Sequence, residues 1–155
     1  MGAQRAKDLA DLIGEAISTR SGIRYEIFAL PGSDRARQIL VLDGEVAVFV
    51  KKFVSRFELL RDPDPAVLCT PPMFIASDVL QIGRQDVRRR SLERRRPLLE
   101  KAIAGADIVL PVRRLDANGA RAWKTVERRG LEGFVAKDPT ALYLSGRTTR
   151  WLKVK

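Results

Sequence analysis

The chain has 155 residues, and 45% of them are hydrophobic, which suits one globular domain with a core. The net charge of +10 favours binding to polyanions such as nucleic acid or nucleotides, and the lack of histidine excludes the commonest general base and metal ligand. The single cysteine, Cys69, excludes an internal disulfide. No apolar run approaches the ~18 residues of a membrane span, and the N-terminus is unlike a signal peptide, so we expect a cytoplasmic chain with no membrane partner.

Hydrophobic patterning in the first half of the chain predicts a helix followed mainly by strands. The β-branched segment 39–50 predicts two strands joined at Asp43-Gly44, because Asp-Gly between apolar runs is a common hairpin turn. The other predicted elements are a helix over 5–17, a strand over 23–30, a turn over 31–34, a short helix over 53–61, a proline-rich loop over 62–72 and a strand over 73–82.

An arginine-rich helix is predicted over residues 86–104. Pro97 either disturbs the middle of this helix or starts a second one. The arginine face indicates a DNA-contacting surface or, as such patterns more often do, a solvated face on a packed helix. The apolar stripe of the helix consists of Leu92, Leu98, Leu99, Ala102 and Ile103.

The last part of the chain predicts a strand, a helix and a pair of strands. The strand covers residues 108–115, and the helix covers 117–129 and ends at Gly130, a typical helix stop. The two final strands, FVAK and RWLKVK, are joined by a polar turn around Ser145-Gly146. Together these elements predict an α+β fold with mostly antiparallel sheets and packed helices.

The terminal WLKVK places charged and apolar side chains on alternate faces of a strand. We expect Leu152 and Val154 to enter the core, and Trp151, Lys153 and Lys155 to point together into a cleft. Two ammonium groups one strand repeat apart suit a bound phosphate. The alternative is a solvated edge strand whose lysines block aggregation.

Two segments, LDGE at 42–45 and LEGFVAK at 131–137, set a carboxylate beside a glycine within apolar runs. Asp43, Glu45 and Glu132 therefore could hold a hard divalent metal ion or bind ribose hydroxyls. The glycines would let the backbone or a ligand approach closely. Taken alone, Asp43-Gly44 is equally typical of a turn.

The order LDGE, SDVL, LEGFVAK and WLKVK resembles the nucleotidyltransferase domain of ATP-dependent DNA ligases, especially the bacterial ligases of end-joining repair. The resemblance covers residues 39–155 and is most specific in the last third. It implies a domain that binds ATP and Mg²⁺ and in which a lysine attacks the α-phosphate. The lysyl-AMP then passes its AMP to a 5′-phosphate on nicked or broken duplex DNA, and the strand is sealed.

The same resemblance implies roles for individual residues. Lys153 and Lys155 would be catalytic and cofactor-binding, because they would neutralise charge that develops on the α-phosphate. Glu45 and Glu132 resemble the ribose- or metal-binding acids, with Asp43 as a further metal ligand. Lys137 matches the last lysine of the EGxVAK motif and would bind the nucleotide. Arg147 and Arg150 would either meet phosphate or serve as loop charges.

The sequence departs from the family pattern in three places. It has no KxDGxR motif, which carries the nucleophile; Lys7, in a helical pattern, is the single lysine before Glu45. Ser77 stands where the family has an adenine-stacking Phe. The OB-fold domain of the family is expected to be missing from these 155 residues.

From these departures we expect residues 1–155 to form one partial adenylation domain with weak or no activity as an isolated chain. Two alternatives stay open. One is a non-catalytic module that binds nucleotide or nucleic acid, and the other is half of a split ligase that works with a complementary fragment. A shortened sheet would also leave unpaired edges, which favour a homo-oligomer.

Overall fold

The computed structural model describes residues 25–27 by their backbone and residues 39–51, 54–56 and 58–155. The predicted helix over 5–17, the turn over 31–34 and Lys7 lie outside these residues. Within them, no helix is long and apolar enough to cross a membrane.

A central sheet organises most of the chain. Its strands are β1 (Tyr25–Ile27), β2 (Leu40–Ala47), β5 (Met73–Ile82), β6 (Gln85–Asp86) and β7 (Val109–Pro111). The first four are consecutive antiparallel neighbours, and β7 pairs with β5 in parallel. The remaining strands form two separate pairs: β3 (Phe49–Val50) with β4 (Val54–Ser55), and β8 (Phe134–Lys137) with β9 (Trp151–Val154). The described helices are α1 (Glu58–Arg61), α2 (Leu92–Ala102) and α3 (Gly119–Arg129). The predicted α+β fold is confirmed.

Strand β2 corrects the prediction of two strands joined at Asp43-Gly44, because the chain continues through this dipeptide as one strand. Its pairing with β5 skips a residue here: Asp43 faces Asp78 while Gly44 faces Ala76, which leaves Ser77 as the extra residue of a β-bulge. A side chain at position 44 would collide with the Ile75 carbonyl oxygen. The glycine therefore serves close approach between strands and not a turn.

The core lies between the central sheet and α2. Its buried side chains come from β2, β5, the β6–α2 loop, α2, the turn after α2 and β7: Leu40, Leu42, Phe74, Ala76, Val79, Val87, Leu99, Ile103 and Val109. The strand predicted over 73–82 is confirmed. Helix α2 runs through Pro97 as a single helix and begins at Leu92, six residues later than predicted.

The arginine face of α2 was predicted to be solvated or to contact DNA, and both interpretations are wrong for Arg95 and Arg96. Arg95 is fully buried and Arg96 is 7% exposed. Each finds polar partners in the interior: Arg95 bonds the carboxylate of Asp78, and Arg96 bonds Glu100 and the carbonyl of Val112. Burying an arginine is feasible because its donors are satisfied there.

The C-terminal elements agree with the sequence prediction in part. The strand predicted over 108–115 is limited to Val109–Pro111, and the helix predicted over 117–129 begins at Gly119. Helix α3 ends at Gly130, whose φ of 63° is the left-handed conformation that glycine favours. Strands β8 and β9 pair antiparallel, as predicted. Leu152, however, is 59% exposed and does not enter the core, because the β8–β9 pair is a sheet of its own and its two faces are not both covered within the part of the chain that the structure describes.

Candidate functional site

The bulge between β2 and β5 places a carboxylate beside a hydroxyl. Ser77 is the extra residue of the bulge, and its Oγ donates a hydrogen bond to Oδ2 of Asp43 at 3.4 Å. Both side chains are half-buried. Because of the bulge, two residues of β5, Ser77 and Asp78, lie opposite Asp43, whereas regular pairing would place one residue there. The Ser77 hydroxyl can therefore bond the Asp43 carboxylate.

Lys137, the last residue of β8, brings a cation to the same point. Its Nζ donates to Oγ of Ser77 at 3.2 Å and lies 4.0 Å from the centroid of the Trp151 ring. Trp151 is directly opposite Lys137 in the β8–β9 register, so the ring and the ammonium group share one face of this sheet. Tyr143 packs against Trp151 in an edge-on arrangement with the ring centroids 5.7 Å apart. The site therefore contains a hydrogen-bonded relay, Asp43–Ser77–Lys137, bordered by two aromatic rings.

Burial disfavours the charged forms of both ionisable groups in this relay. It raises the pKa of the Asp43 carboxyl above its usual 3.8, although nearby Lys137 opposes the rise. It lowers the pKa of the Lys137 ammonium below 10.5, although the carboxylates of Asp78 and Asp43 oppose the fall. A phosphate near Lys137 or a cation near Asp43 would relieve these penalties, so the site is suited to binding charged ligands.

A buried ion pair fixes the sheet that carries Lys137 against the central sheet. Arg95 binds both carboxylate oxygens of Asp78, through Nε at 2.8 Å and an Nη at 2.7 Å, and a second Nη bonds the carbonyl oxygen of Ala141 at 3.1 Å. The first turn of α2 adds to this connection, since the backbone N–H of Leu92 donates to the Ala141 carbonyl and that of Glu93 to the Pro139 carbonyl. The β8–β9 connection is thereby held on α2, which positions Lys137 over the bulge.

The other predicted site residues lie at the exposed margin. Glu45 is exposed, faces Ile75 across the sheet, and is close enough to contribute to the raised pKa of Asp43. Glu132 is exposed immediately before β8, and Lys153 and Lys155 are exposed at the end of the chain. Lys153 lies two residues after Trp151 in β9, so both side chains are on the same face of the sheet.

The two arginines of the β8–β9 connection differ. Arg150 forms an ion pair with Asp138 at 2.6 Å and is half-exposed there, whereas Arg147 is exposed with no ion-pair partner among residues 39–51 and 58–155. Arg150 therefore has a partner within the loop, and contact with phosphate stays a prediction for both arginines.

Sequence reasoning missed three contributors to the site: Ser77 as the link in the relay, Tyr143, and the Asp78–Arg95 pair. Ser77 was visible in the sequence merely as a departure from an aromatic residue. Asp78 inside a mainly apolar strand was the available signal for a buried ion pair, because the one carboxylate there needs a partner.

The carboxylates fit a magnesium site of the kind completed by phosphates. No three acidic, cysteine or histidine side chains cluster in metal-binding fashion in the described ranges. Mg²⁺ commonly uses one or two protein carboxylates together with substrate phosphate oxygens, and Asp43 with Glu45 two residues along β2 meets that requirement. No recorded contact joins Glu132 to either of them within the part of the chain that the structure describes.

Comparisons with known proteins identify relatives of the chain. A family model described as "ATP dependent DNA ligase domain" matches residues 27–155. The multifunctional non-homologous end joining protein LigD of Mycolicibacterium smegmatis is 29% identical over 132 residues, which is 84% of this chain and 17% of that protein. DNA ligase 4 of Neurospora crassa is 26% identical over 167 residues, 99% of this chain and 16% of that protein.

Two solved structures are similar as well. The ligase domain of LigD from M. tuberculosis matches with a TM-score of 0.64 at 26% identity, over 75% of this chain and 38% of that one. A mycobacterial DNA ligase D complexed with ATP and MES matches with the same TM-score at 27% identity and the same two coverages. The chain thus spans about a sixth of the length of the curated relatives it matches. Because the family model covers most of its residues, the chain belongs to the ATP-dependent DNA ligase domain family.

Proposed function

We propose that this chain forms the phosphate- and metal-binding side of an ATP-dependent adenylation site that serves DNA strand joining. The observation that carries the proposal is the half-buried ammonium group of Lys137, held 3.2 Å from the Ser77 hydroxyl and 4.0 Å from the Trp151 ring. Burial lowers the pKa of this group by disfavouring its charged form, so an anionic ligand that stabilises the charged form gains free energy.

Three lysines would act on the phosphates of the nucleotide. Lys137 would bind from inside the cleft, and Lys153 and Lys155 would reach in from the exposed end of β9 and neutralise the charge that develops on the α-phosphate. Trp151 and Tyr143 would exclude water from one side of the bound phosphate.

Carboxylates would hold Mg²⁺ on the opposite side. Asp43 is the half-buried member of the set, and Glu45 and Glu132 are its exposed members. A bound Mg²⁺ would neutralise phosphate charge and orient the leaving group. The raised pKa of Asp43 favours this role, because a nearby divalent cation stabilises the ionised carboxylate that burial penalises.

The nucleophilic lysine is proposed to come from outside these 155 residues, since they contain no KxDG sequence. The isolated chain would then bind ATP without becoming adenylated, and nick sealing would require a complementary ligase segment. Nicked or broken duplex DNA is the proposed nucleic-acid partner, in keeping with the net charge of +10.

The first test is ATP binding by the full chain in the presence of Mg²⁺, measured by calorimetry. We expect Lys137→Met to weaken binding by about ten- to hundredfold, as expected for loss of one charged hydrogen bond. Lys101→Met, which removes an exposed lysine from the last turn of α2, is the matched control and should bind as the wild type does. Equal losses in both variants would refute a specific site at Lys137.

The second test separates a binding chain from a complete enzyme. After incubation with ATP and Mg²⁺, intact-mass spectrometry should find no AMP adduct on the chain alone. With a separately expressed segment that carries KxDGxR, the adduct should form on that segment. A stoichiometric AMP adduct on a lysine of this chain would overturn the assignment of the nucleophile.

A further inference from the structure

We propose that the segment from Gly83 to Arg94 binds the phosphodiester backbone of duplex DNA beside the adenylation site. This surface, called here the arginine loop, includes the turn after β5, β6 and the start of α2. Its exposed or half-exposed arginines are Arg84, Arg88, Arg89, Arg90 and Arg94. The inference rests on the proposed function, because it names the surface by which the domain holds its nucleic-acid substrate.

Most of the charge in the arginine loop is uncompensated. Arg88 is paired with Asp86 at 2.6 Å, and this guanidinium holds the pKa of Asp86 at about 2. The other four arginines have no ion-pair partner among residues 39–51, 54–56 and 58–155. The segment also contains Glu93, but its five arginines outnumber its two carboxylates, and a polyanion would reduce the repulsion among the arginines.

The backbone of the arginine loop is anchored to the protein interior by one buried side chain and two hydrogen bonds. Val87 is fully buried, and the carbonyl oxygen of Arg88 accepts a hydrogen bond from the N–H of Tyr143 at 2.9 Å. The carbonyl of Arg90 accepts one from the buried guanidinium of Arg95. The exposed guanidinium groups are thus presented on an anchored backbone, which lowers the entropy cost of binding.

These contacts also set the arginine loop next to the candidate site. Tyr143 bonds the loop backbone on one side, and on the other its ring lies 5.7 Å from the ring of Trp151, over which Lys137 is held. A DNA backbone that lies along the loop would therefore bring one of its phosphates to the margin of the nucleotide site. That is the geometry required for transfer of AMP to a 5′-phosphate.

The chemistry of the arginine loop favours nucleic acid over a protein partner. None of the large hydrophobic side chains exposed in the structure belongs to residues 83–94. Protein interfaces have an apolar centre, whereas backbone recognition of DNA relies on arginine and lysine with few apolar contacts.

The test compares two variants that each lose four positive charges. The loop variant carries Arg84→Gln, Arg89→Gln, Arg90→Gln and Arg94→Gln. The control variant carries Arg113→Gln, Lys124→Gln, Arg128→Gln and Arg129→Gln, on and before α3, where all four side chains are exposed. Binding of the full chain to a nicked duplex is measured by fluorescence anisotropy over a range of salt concentrations, and ATP affinity is measured on the same samples.

We expect the loop variant to bind the nicked duplex at least about tenfold more weakly at low salt, with a log–log salt slope smaller by about three to four units, since each neutralised phosphate contributes about 0.9. The control variant should keep most of the wild-type slope. An unchanged slope in the loop variant, or equal losses of DNA affinity in both variants, would overturn the inference even if all samples bind ATP. A wild-type chain that does not bind ATP would instead count against the proposed adenylation site.

Discussion

Two polar clusters meet at neighbouring residues of β5, the Asp78–Arg95 ion pair and the Asp43–Ser77–Lys137 relay, and their bonding differs. Asp78 is bound at both carboxylate oxygens by Arg95, and both side chains are completely buried. Its neighbour Ser77 connects Asp43 to Lys137 through longer, single hydrogen bonds, and all three of these side chains are half-buried.

The difference follows from the chemistry of the two cations. The planar guanidinium of Arg95 offers a fork of donors that satisfies the carboxylate and two backbone carbonyls at once. The ammonium of Lys137 is a point charge with donors to spare. The first group is a closed structural connection, whereas the second retains capacity for a ligand.

The largest expected effect comes from opening the closed group. Arg95→Met leaves the Asp78 carboxylate buried without its partner, so we expect the free energy of unfolding to fall by about 3–5 kcal/mol. Urea denaturation at neutral pH measures this change. Lys137→Met, tested alongside, should change stability far less, because its site is half-exposed.

The double variant Asp78→Leu with Arg95→Met shows whether the unpaired charge causes the loss. Replacing a whole buried ion pair by apolar residues is often close to neutral, so the double variant should recover much of the stability. If it is as unstable as the single variant, the loss comes from the bonds to the Arg90 and Ala141 carbonyls instead.

Elements with a strong local signal were predictable from sequence. The strand at 73–82 is a mainly apolar segment bounded by prolines and a glycine, and α3 ends at Gly130 because glycine adopts the left-handed conformation there. The pairing of β8 with β9 followed from two apolar runs around a polar turn. Each of these depends on residues close together in the chain.

Features that depend on distant residues were not predictable. Asp43-Gly44 has the composition of a turn, but pairing with the ten-residue strand β5 keeps it within β2, opposite the bulge at Ser77. Arg95 belongs to a run of arginines that is typical of a solvated face, and its burial depends on Asp78, 17 positions earlier. Local patterns carry no information about such partners.

The candidate site contains both kinds of feature, those that local sequence indicates and those that depend on distant residues. Motif spacing singled out Asp43 and Lys137 separately, and their roles toward ATP and Mg²⁺ stay predictions. Their connection through Ser77 joins residues 34 and 60 positions apart, so no local pattern predicts it.

The second expected effect is a change in how stability depends on pH. Burial lowers the folded-state pKa of Lys137 below 10.5, so between that lowered value and 10.5 the unfolded chain binds more protons than the folded one. The contribution of Lys137 to stability therefore rises as pH increases through this window, and at pH 7 its buried charge is unfavourable.

Lys137→Met should abolish this rise and leave the free energy of unfolding at pH 7 within about 1 kcal/mol of the wild type. Denaturant unfolding from pH 7 to the alkaline end of the window measures the difference between the two proteins. Lys101→Met, on the exposed end of α2, should keep the wild-type profile. A wild-type stability that falls through the window relative to Lys137→Met would show that the charged form is favoured, contrary to the burial argument.

The smallest expected effect tests the central link of the open group. Ser77→Ala removes the hydroxyl that donates to Asp43 and accepts from Lys137, which should lower stability by about 0.5–1.5 kcal/mol. Because the Ser77 hydrogen bond opposes the rise caused by burial, the pKa of Asp43 should move further above 3.8 in the variant. Carboxyl carbon NMR titration of Asp43 measures that shift directly.

Ser91→Ala is the matched control, since Ser91 also donates to a carboxylate, that of Glu93 at 3.3 Å, but at an exposed position. It should leave the pKa of Asp43 at its wild-type value. If Ser77→Ala also leaves it there, the 3.4 Å bond from Ser77 does not stabilise the Asp43 carboxylate. Ser77 would then serve only to hold Lys137, and the comparison between the two groups on β5 would rest on burial alone.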